Sequence, residues 1–192
     1  MSERISITPQ SVFPHARIHL VILEEGDAET SVHWINDYDV TRTLGRDSPQ
    51  TLSEQREWAS GRKRNSADYT FGIWLHESKK LIGTTGWHRV DTRSRTAVFG
   101  LNIGDTSEWR KGYGTETVMQ MLHYAFWRQN LRKVTLDVLG NNPRAQTLYE
   151  KCGFRVAGVL KEHDYRDGEY VDRITMELFR EEWGPLFAAY QK

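Results

Sequence analysis

The chain has 192 residues, with 26 basic and 26 acidic side chains, one cysteine and seven tryptophans. That length suits one domain with a substantial core, and the balanced charge argues against a general nucleic-acid binder. A lone Cys152 excludes an internal disulfide. With no apolar run as long as a membrane span and no signal-peptide core, the expected setting is cytoplasmic and reducing, with no membrane partner.

Residues 18–23 are apolar and β-prone and read as a first strand. A short helix is expected over 28–35. Thr51 with Glu54 fits a capping box and starts a second helix ending near Gly61. The cluster Arg62-Lys63-Arg64 then reads as a helix C-terminus, where cations favour the dipole. Tyr69, Phe71, Ile73 and Leu75 alternate, which predicts a half-buried strand. Residues 77–80 turn, 81–90 return as a strand, 91–95 turn again, and 96–104 form the next strand.

Val118, Met121, Leu122, Ala125 and Phe126 define one apolar helical face. Val134, Leu136 and Val138 alternate as a strand. Pro143 suits the first turn of another helix capped by Asn142, with Ala145, Leu148, Tyr149 and Cys152 as its buried stripe. Cys152 on that stripe reads as a buried, inert thiol. Gly153 suits a left-handed C-cap. Residues 154–160 and 170–178 complete a hairpin around Asp167-Gly168. This order gives a mixed α/β (α+β) sheet, mostly antiparallel, flanked by helices, in one domain over 1–192 with its core at about 17–178.

The most informative run is Glu108-Trp109-Arg110-Lys111-Gly112-Tyr113-Gly114-Thr115-Glu116-Thr117, between a strand and a helix. Two glycines let bare backbone approach a ligand, and the unpartnered N–H groups of a first helical turn favour an anion. Arg110 and Lys111 add positive charge. A P-loop is absent, and the dinucleotide fingerprint lacks its third glycine because Thr117 occupies that place. From the glycines alone, a tight turn without a ligand is as good a reading as a phosphate site.

A second run reads Asn141-Asn142-Pro143-Arg144-Ala145-Gln146-Thr147-Leu148-Tyr149-Glu150-Lys151-Cys152-Gly153-Phe154. With it, the chain resembles the GCN5-related N-acetyltransferases. That family carries a pyrophosphate loop [QR]-x-x-G-x-[GA], followed by N-x-x-[AS]-x-x-L-Y-x-K-x-G-F. The runs Trp34-Ile35-Asn36-Asp37 and Leu81-Ile82-Gly83-Thr84-Thr85-Gly86-Trp87 look like the branch that includes ribosomal-protein N-terminal acetyltransferases. The resemblance spans about 17–178. Trp109 departs from the Gln or Arg that many members carry.

The resemblance implies acetyl-CoA as co-substrate, no metal, and a primary amine acceptor. The acceptor is expected to be a protein N-terminal α-amine, with a small amine such as a polyamine or aminoglycoside as the alternative. A non-catalytic acyl-CoA-binding domain is the rival from another class. Relatives often form homodimers, and no sequence feature demands one here. The family holds the thioester arm in a splayed gap after the central strand, which falls here at Leu101, Asn102 and Ile103. Gly112, Tyr113, Gly114 and Thr115 are implied to take the pyrophosphate, with Arg110 and Lys111 beside them.

Asn142 reads either as a helix cap or as a neighbour of the coenzyme A arm, and both roles are compatible. Tyr149 reads as a packing tyrosine or, as the resemblance favours, as the acid that protonates the leaving thiolate. Many relatives carry a glutamate base where this chain has Val98. Asp37, His88 or a water chain are the candidates in its place, although a partly exposed structural histidine is the simpler reading of His88. Trp34, Asp37, Tyr38 and Tyr165 mark the acceptor region, where aromatics and a carboxylate suit a cationic amine.

Overall fold

The computed structural model describes residues 4–45, 48–61 and 68–191. The Arg62-Lys63-Arg64 cluster lies outside the described residues. Among the described residues, seven strands form one sheet in the order β1-β2-β3-β4-β5-β7-β6. They are β1 (Ile18–Ile22), β2 (Tyr69–Leu75), β3 (Lys80–Asp91), β4 (Thr96–Ile103), β5 (Lys133–Leu139), β6 (Arg155–Arg166) and β7 (Glu169–Phe179). All neighbours are antiparallel except β4 and β5. The helices are α1 (Ala28–Ile35), α2 (Tyr38–Thr41), α3 (Leu52–Ala59), α4 (Tyr113–His123), α5 (Pro143–Lys151) and α6 (Arg180–Tyr190).

The local signals explain most boundaries. Thr51 accepts from Glu54 N while the Glu54 side chain accepts from Thr51 N, so the capping box sets the start of α3. Asn142 caps α5 by accepting from Ala145 N at 3.1 Å, with Pro143 in the first turn. Asp167 and Gly168 both take positive φ, 51° and 92°, in the β6–β7 turn. That double left-handed geometry joins twisted antiparallel strands without splaying them.

Two apolar clusters sandwich the sheet. One face packs Ile73, Trp87, Phe99, Leu136 and Met176 against Val118, Met121 and Leu122 of α4 and Tyr149 of α5. The other buries Val21, Leu23 and Leu81 against Trp34 and Val40, with Trp58 at its margin. Strand β2 is therefore covered on both faces, and Thr70, Phe71, Gly72 and Ile73 are all buried. The half-buried expectation for this strand is corrected, because α1 and α3 lie over the face that alternation had assigned to solvent.

The expected core boundary near residue 178 is also too short. In α6, Trp183 stacks on Phe187 at 4.5 Å and approaches Phe126 at 5.6 Å. Gly184-Pro185 reads as a breaker in the sequence. Here the aromatic packing of Trp183 and Phe187 outweighs the missing Pro185 donor. The α4 pattern continues past His123 as a π-helical turn over Tyr124–Arg128. No helix among the described residues is long and apolar enough to cross a membrane.

Candidate active site

The parallel junction of β4 and β5 is the decisive departure from a regular sheet. Register holds only for Thr96↔Lys133, Ala97↔Val134 and Val98↔Thr135. Beyond Val98 the strands part, although β4 stays paired to β3 and β5 to β7. The facing backbones of residues 99–103 and 136–139 thus border a gap rather than each other. Unpaired strand groups need partners, and an extended ligand arm supplies them. Leu101, Asn102 and Ile103 stand at the end of β4, on its wall of this gap.

Three adjoining cavities meet at Leu101. The first, about 330 Å³, runs beside the glycine loop and is bordered by Ile103, Trp109, Arg110, Gly114 and Asn142. The second occupies the gap itself, between Phe99–Leu101 on β4 and Asp137–Leu139 on β5, with Tyr149 on its wall. The third, about 170 Å³, lies on the opposite sheet face under α1 and α3. It is lined by Trp34, Trp58, Gln55, Thr84, His88 and Asn102.

The glycine loop opens α4 without a side-chain cap. Gly112 sits at φ +89°, a conformation an L side chain adopts only with strain. Glu116, the acid of the first turn, is turned away and buried, accepting from Arg17 N at 2.6 Å and Ile18 N at 3.0 Å. The first-turn N–H groups of Tyr113, Gly114 and Thr115 therefore remain open to an anion. Gly114 also touches α5, since a side chain there would press on Leu148.

The cations around this loop divide differently from the expectation. Lys111 binds Glu108 at 2.8 Å, and Glu108 also holds Lys80 at 2.7 Å. These partners keep the Glu108 carboxyl below its usual range, with the Lys111 hydrogen bond the largest cause. Lys111 is thus largely neutralised locally. Arg17, which the motif reading did not single out, donates to the Lys111 carbonyl at 3.0 Å and lies over the Tyr113 ring at 4.7 Å. Its position just before β1, far away in sequence, left no motif signal.

Tyr149 is buried between Phe99 and Phe154, edge-on at 6.1 and 5.8 Å. It borders both the loop-side cavity and the gap. Burial pushes its hydroxyl well above the ordinary tyrosine value. Its neighbour Cys152 is likewise pushed up to about 12 by burial, which fits an inert thiol. Asn142 spends its side-chain oxygen on the α5 cap and also borders the loop-side cavity and the gap.

The acceptor candidates separate. Trp34 lines the third cavity, its ring laid over Gly104, where a Cβ would overlap the indole. His88 lines the same cavity, directly opposite Val98 in register, with Nδ1 3.9 Å from Asp68 Oδ2. Alternation puts Asn102 on this face, paired across to Thr84. Asp37 instead caps α2, accepting from Asp39 N at 2.8 Å, and borders none of the three cavities. Tyr38 is exposed, and a hydrogen bond to the Asp167 carboxylate raises its hydroxyl pKa. Tyr165 is exposed against Tyr170, 5.2 Å away. These last three residues lie outside the cavity walls.

A family model described as an acetyltransferase (GNAT) domain matches residues 17–155. The chain belongs to the GCN5-related N-acetyltransferase family. Among its relatives, the uncharacterized N-acetyltransferase YoaA of Bacillus subtilis is 26% identical over 81% of this chain and 89% of its own length. Spermidine N(1)-acetyltransferase of Vibrio cholerae is 26% identical over 88% of this chain and 96% of its own. The crystal structure of Vibrio cholerae spermidine N-acetyltransferase with CoA and spermine superposes with a TM-score of 0.81 at 26% identity, covering 87% of this chain and 98% of that one. The ribosomal-protein branch finds no counterpart among these three.

The GNAT chain is thus an acetyl-CoA-dependent N-acetyltransferase. Its own geometry fits the co-substrate: an uncapped helix start for phosphates, a basic cavity beside it, and a strand gap for the arm. Among the described residues, no group of three or more His, Cys, Asp or Glu gathers to hold a metal.

Proposed function

We propose that this GNAT enzyme acetylates the primary amine of a small molecule. The observation that carries the reading is the likeness to spermidine N-acetyltransferases along nearly the whole chain. The third cavity supports it. At about 170 Å³, with indole, hydroxyl and amide walls, it suits a compact amine better than a stretch of peptide. Indole faces also attract an ammonium group.

Bound acetyl-CoA supplies an acyl thioester whose carbonyl carbon is the electrophile. The β4 backbone at Leu101, Asn102 and Ile103 orients the arm by hydrogen bonding, and Gly112, Tyr113, Gly114 and Thr115 hold the pyrophosphate through main-chain N–H groups. Trp34 and Trp58 seat the amine on the opposite face. His88 takes the proton the ammonium must lose, freeing a lone pair for attack. As the C–N bond forms and the C–S bond breaks, Tyr149 donates its hydroxyl proton to the departing sulfur. The buried, neutral Tyr149 is held in the donor form this role needs.

The test is free-thiol release from acetyl-CoA with polyamines, aminoglycosides, amino acids and peptides bearing ribosomal-protein N-termini. Release with small amines alone is expected. Release with peptides alone would restore the protein N-terminal acceptor. No release, with acetyl-CoA still raising the melting temperature, would favour a binder that has lost its chemistry.

A further inference from the structure

The cavity beside the glycine loop carries three guanidinium groups, Arg42, Arg110 and Arg144, and one carboxylate, Asp39. Asp39 lies 3.5 Å from Arg42. Arg110 and Arg144 have no ion pair or hydrogen bond among the described residues. Arg144 instead lies over the Trp109 ring, 4.5 Å from its centroid. That ring is itself fixed, because Trp109 Nε1 donates to the Ile103 carbonyl at 2.7 Å. Arg110 takes φ +63° in the loop, a left-handed conformation uncommon for a residue with a side chain.

Partial desolvation against the cavity wall first, and the charge of Arg110 second, lower the Arg144 pKa although the residue as a whole is exposed. Two like charges thus line one cavity whose carboxylate, Asp39, is engaged by Arg42. Such an arrangement is unfavourable on its own and is relieved by an anion. A guanidinium presents paired N–H donors that match a phosphate, and stacking on an indole restrains it at little cost to those donors.

We propose that Arg144, lying over Trp109 in a cavity that Arg110 also lines, forms a phosphate subsite for the nucleotide end of the acyl donor. This subsite is additional to the main-chain cradle of the glycine loop and rests on the acetyl-CoA reading. The motif N-x-x-[AS] leaves position 144 variable, so the pattern itself assigns Arg144 nothing. Trp109 acquires a purpose in the same step: it replaces the Gln or Arg of many relatives with a platform for Arg144.

The phosphate is either part of the pyrophosphate or the ribose 3′-phosphate, and titration calorimetry with CoA and 3′-dephospho-CoA separates them. Arg144 is exposed at the start of α5, and the melting temperature of unliganded Arg144→Gln serves as the folding control. Replacing Arg144 by Gln is expected to weaken CoA binding roughly tenfold or more, the scale of a lost charge-assisted hydrogen bond. A loss confined to CoA assigns the 3′-phosphate, and an equal loss on both ligands assigns the pyrophosphate. Arg144→Lys is expected to recover part of the affinity as a point charge. CoA affinity unchanged within about twofold in Arg144→Gln, in a protein whose wild type binds CoA, overturns the subsite. A wild type that does not bind CoA overturns the acetyl-CoA reading instead.

Discussion

At the scale of single residues, environment separates tyrosines that sequence treats alike. Tyr149 is buried at the meeting of two cavities, while Tyr38 and Tyr165 are exposed. Tyr149→Phe is expected to keep CoA affinity and to lower kcat by about 10²-fold, the low end of acid–base contributions. Single-turnover kinetics beside calorimetry would check this, and an unchanged kcat would return Tyr149 to packing. The burial of Tyr149 and the cap at Asn142 were legible because their motif is dense and ungapped. Arg144 and Arg17 were not, since one occupies a variable motif position and the other reaches the loop from a distant strand. Asp37 shows the opposite failure: a carboxylate next to aromatics suggested an amine site, yet its oxygen is committed to the α2 cap.

At the scale of elements, α1 is seated on the end of β4 by one close contact, the Trp34 ring over Gly104. A methyl group at 104 cannot coexist with the indole as placed, so Gly104→Ala displaces Trp34 from the acceptor wall. The expected cost is about 1–3 kcal/mol of stability, as for overpacking elsewhere. The KM for the amine should rise while the KM for acetyl-CoA stays near its original value. Equal changes in both constants would count against Trp34 as an acceptor wall. The strands and the four longer helices from α1 to α5 were readable because period, caps and glycines agree with one another. Helix α6 was not, since its breaker pair is local and the aromatic packing that overrides it is not. Covering of both faces of β2 escaped for a similar reason: alternation reports which face is apolar, not which helices lie over it.

At the scale of the whole molecule, buried His123 and half-buried His19 both have depressed pKa values. Burial is the leading cause for both His19 and His123, followed by His76 for the first and Arg128 for the second. His19 lies 5.0 Å from the His76 ring, and His123 joins the aromatic group of Phe13, Trp183 and Phe187. The unfolded chain protonates these rings at a higher pH than the fold does. Their stabilisation is therefore complete above the ordinary imidazole value of about 6.5 and is lost as pH falls below it. The urea midpoint should hold steady between about pH 7 and 8 and decline toward about pH 5.5, before most carboxylates titrate. A midpoint indifferent to pH over that span would contradict the assignment.

Strands β1 to β4 are consecutive in the chain and adjacent in the sheet, so their pairings are local in sequence. Strand β5 meets β4 through three residue pairs but meets β7 through seven. Its place depends on β7, which lies between β5 and β6 in the sheet. The glycine loop lies before β5 in the chain, yet the far wall of the gap is held in place from β7. The phosphate end of the site thus draws on contacts near it in the chain, whereas the acyl end is held by a strand paired from further along.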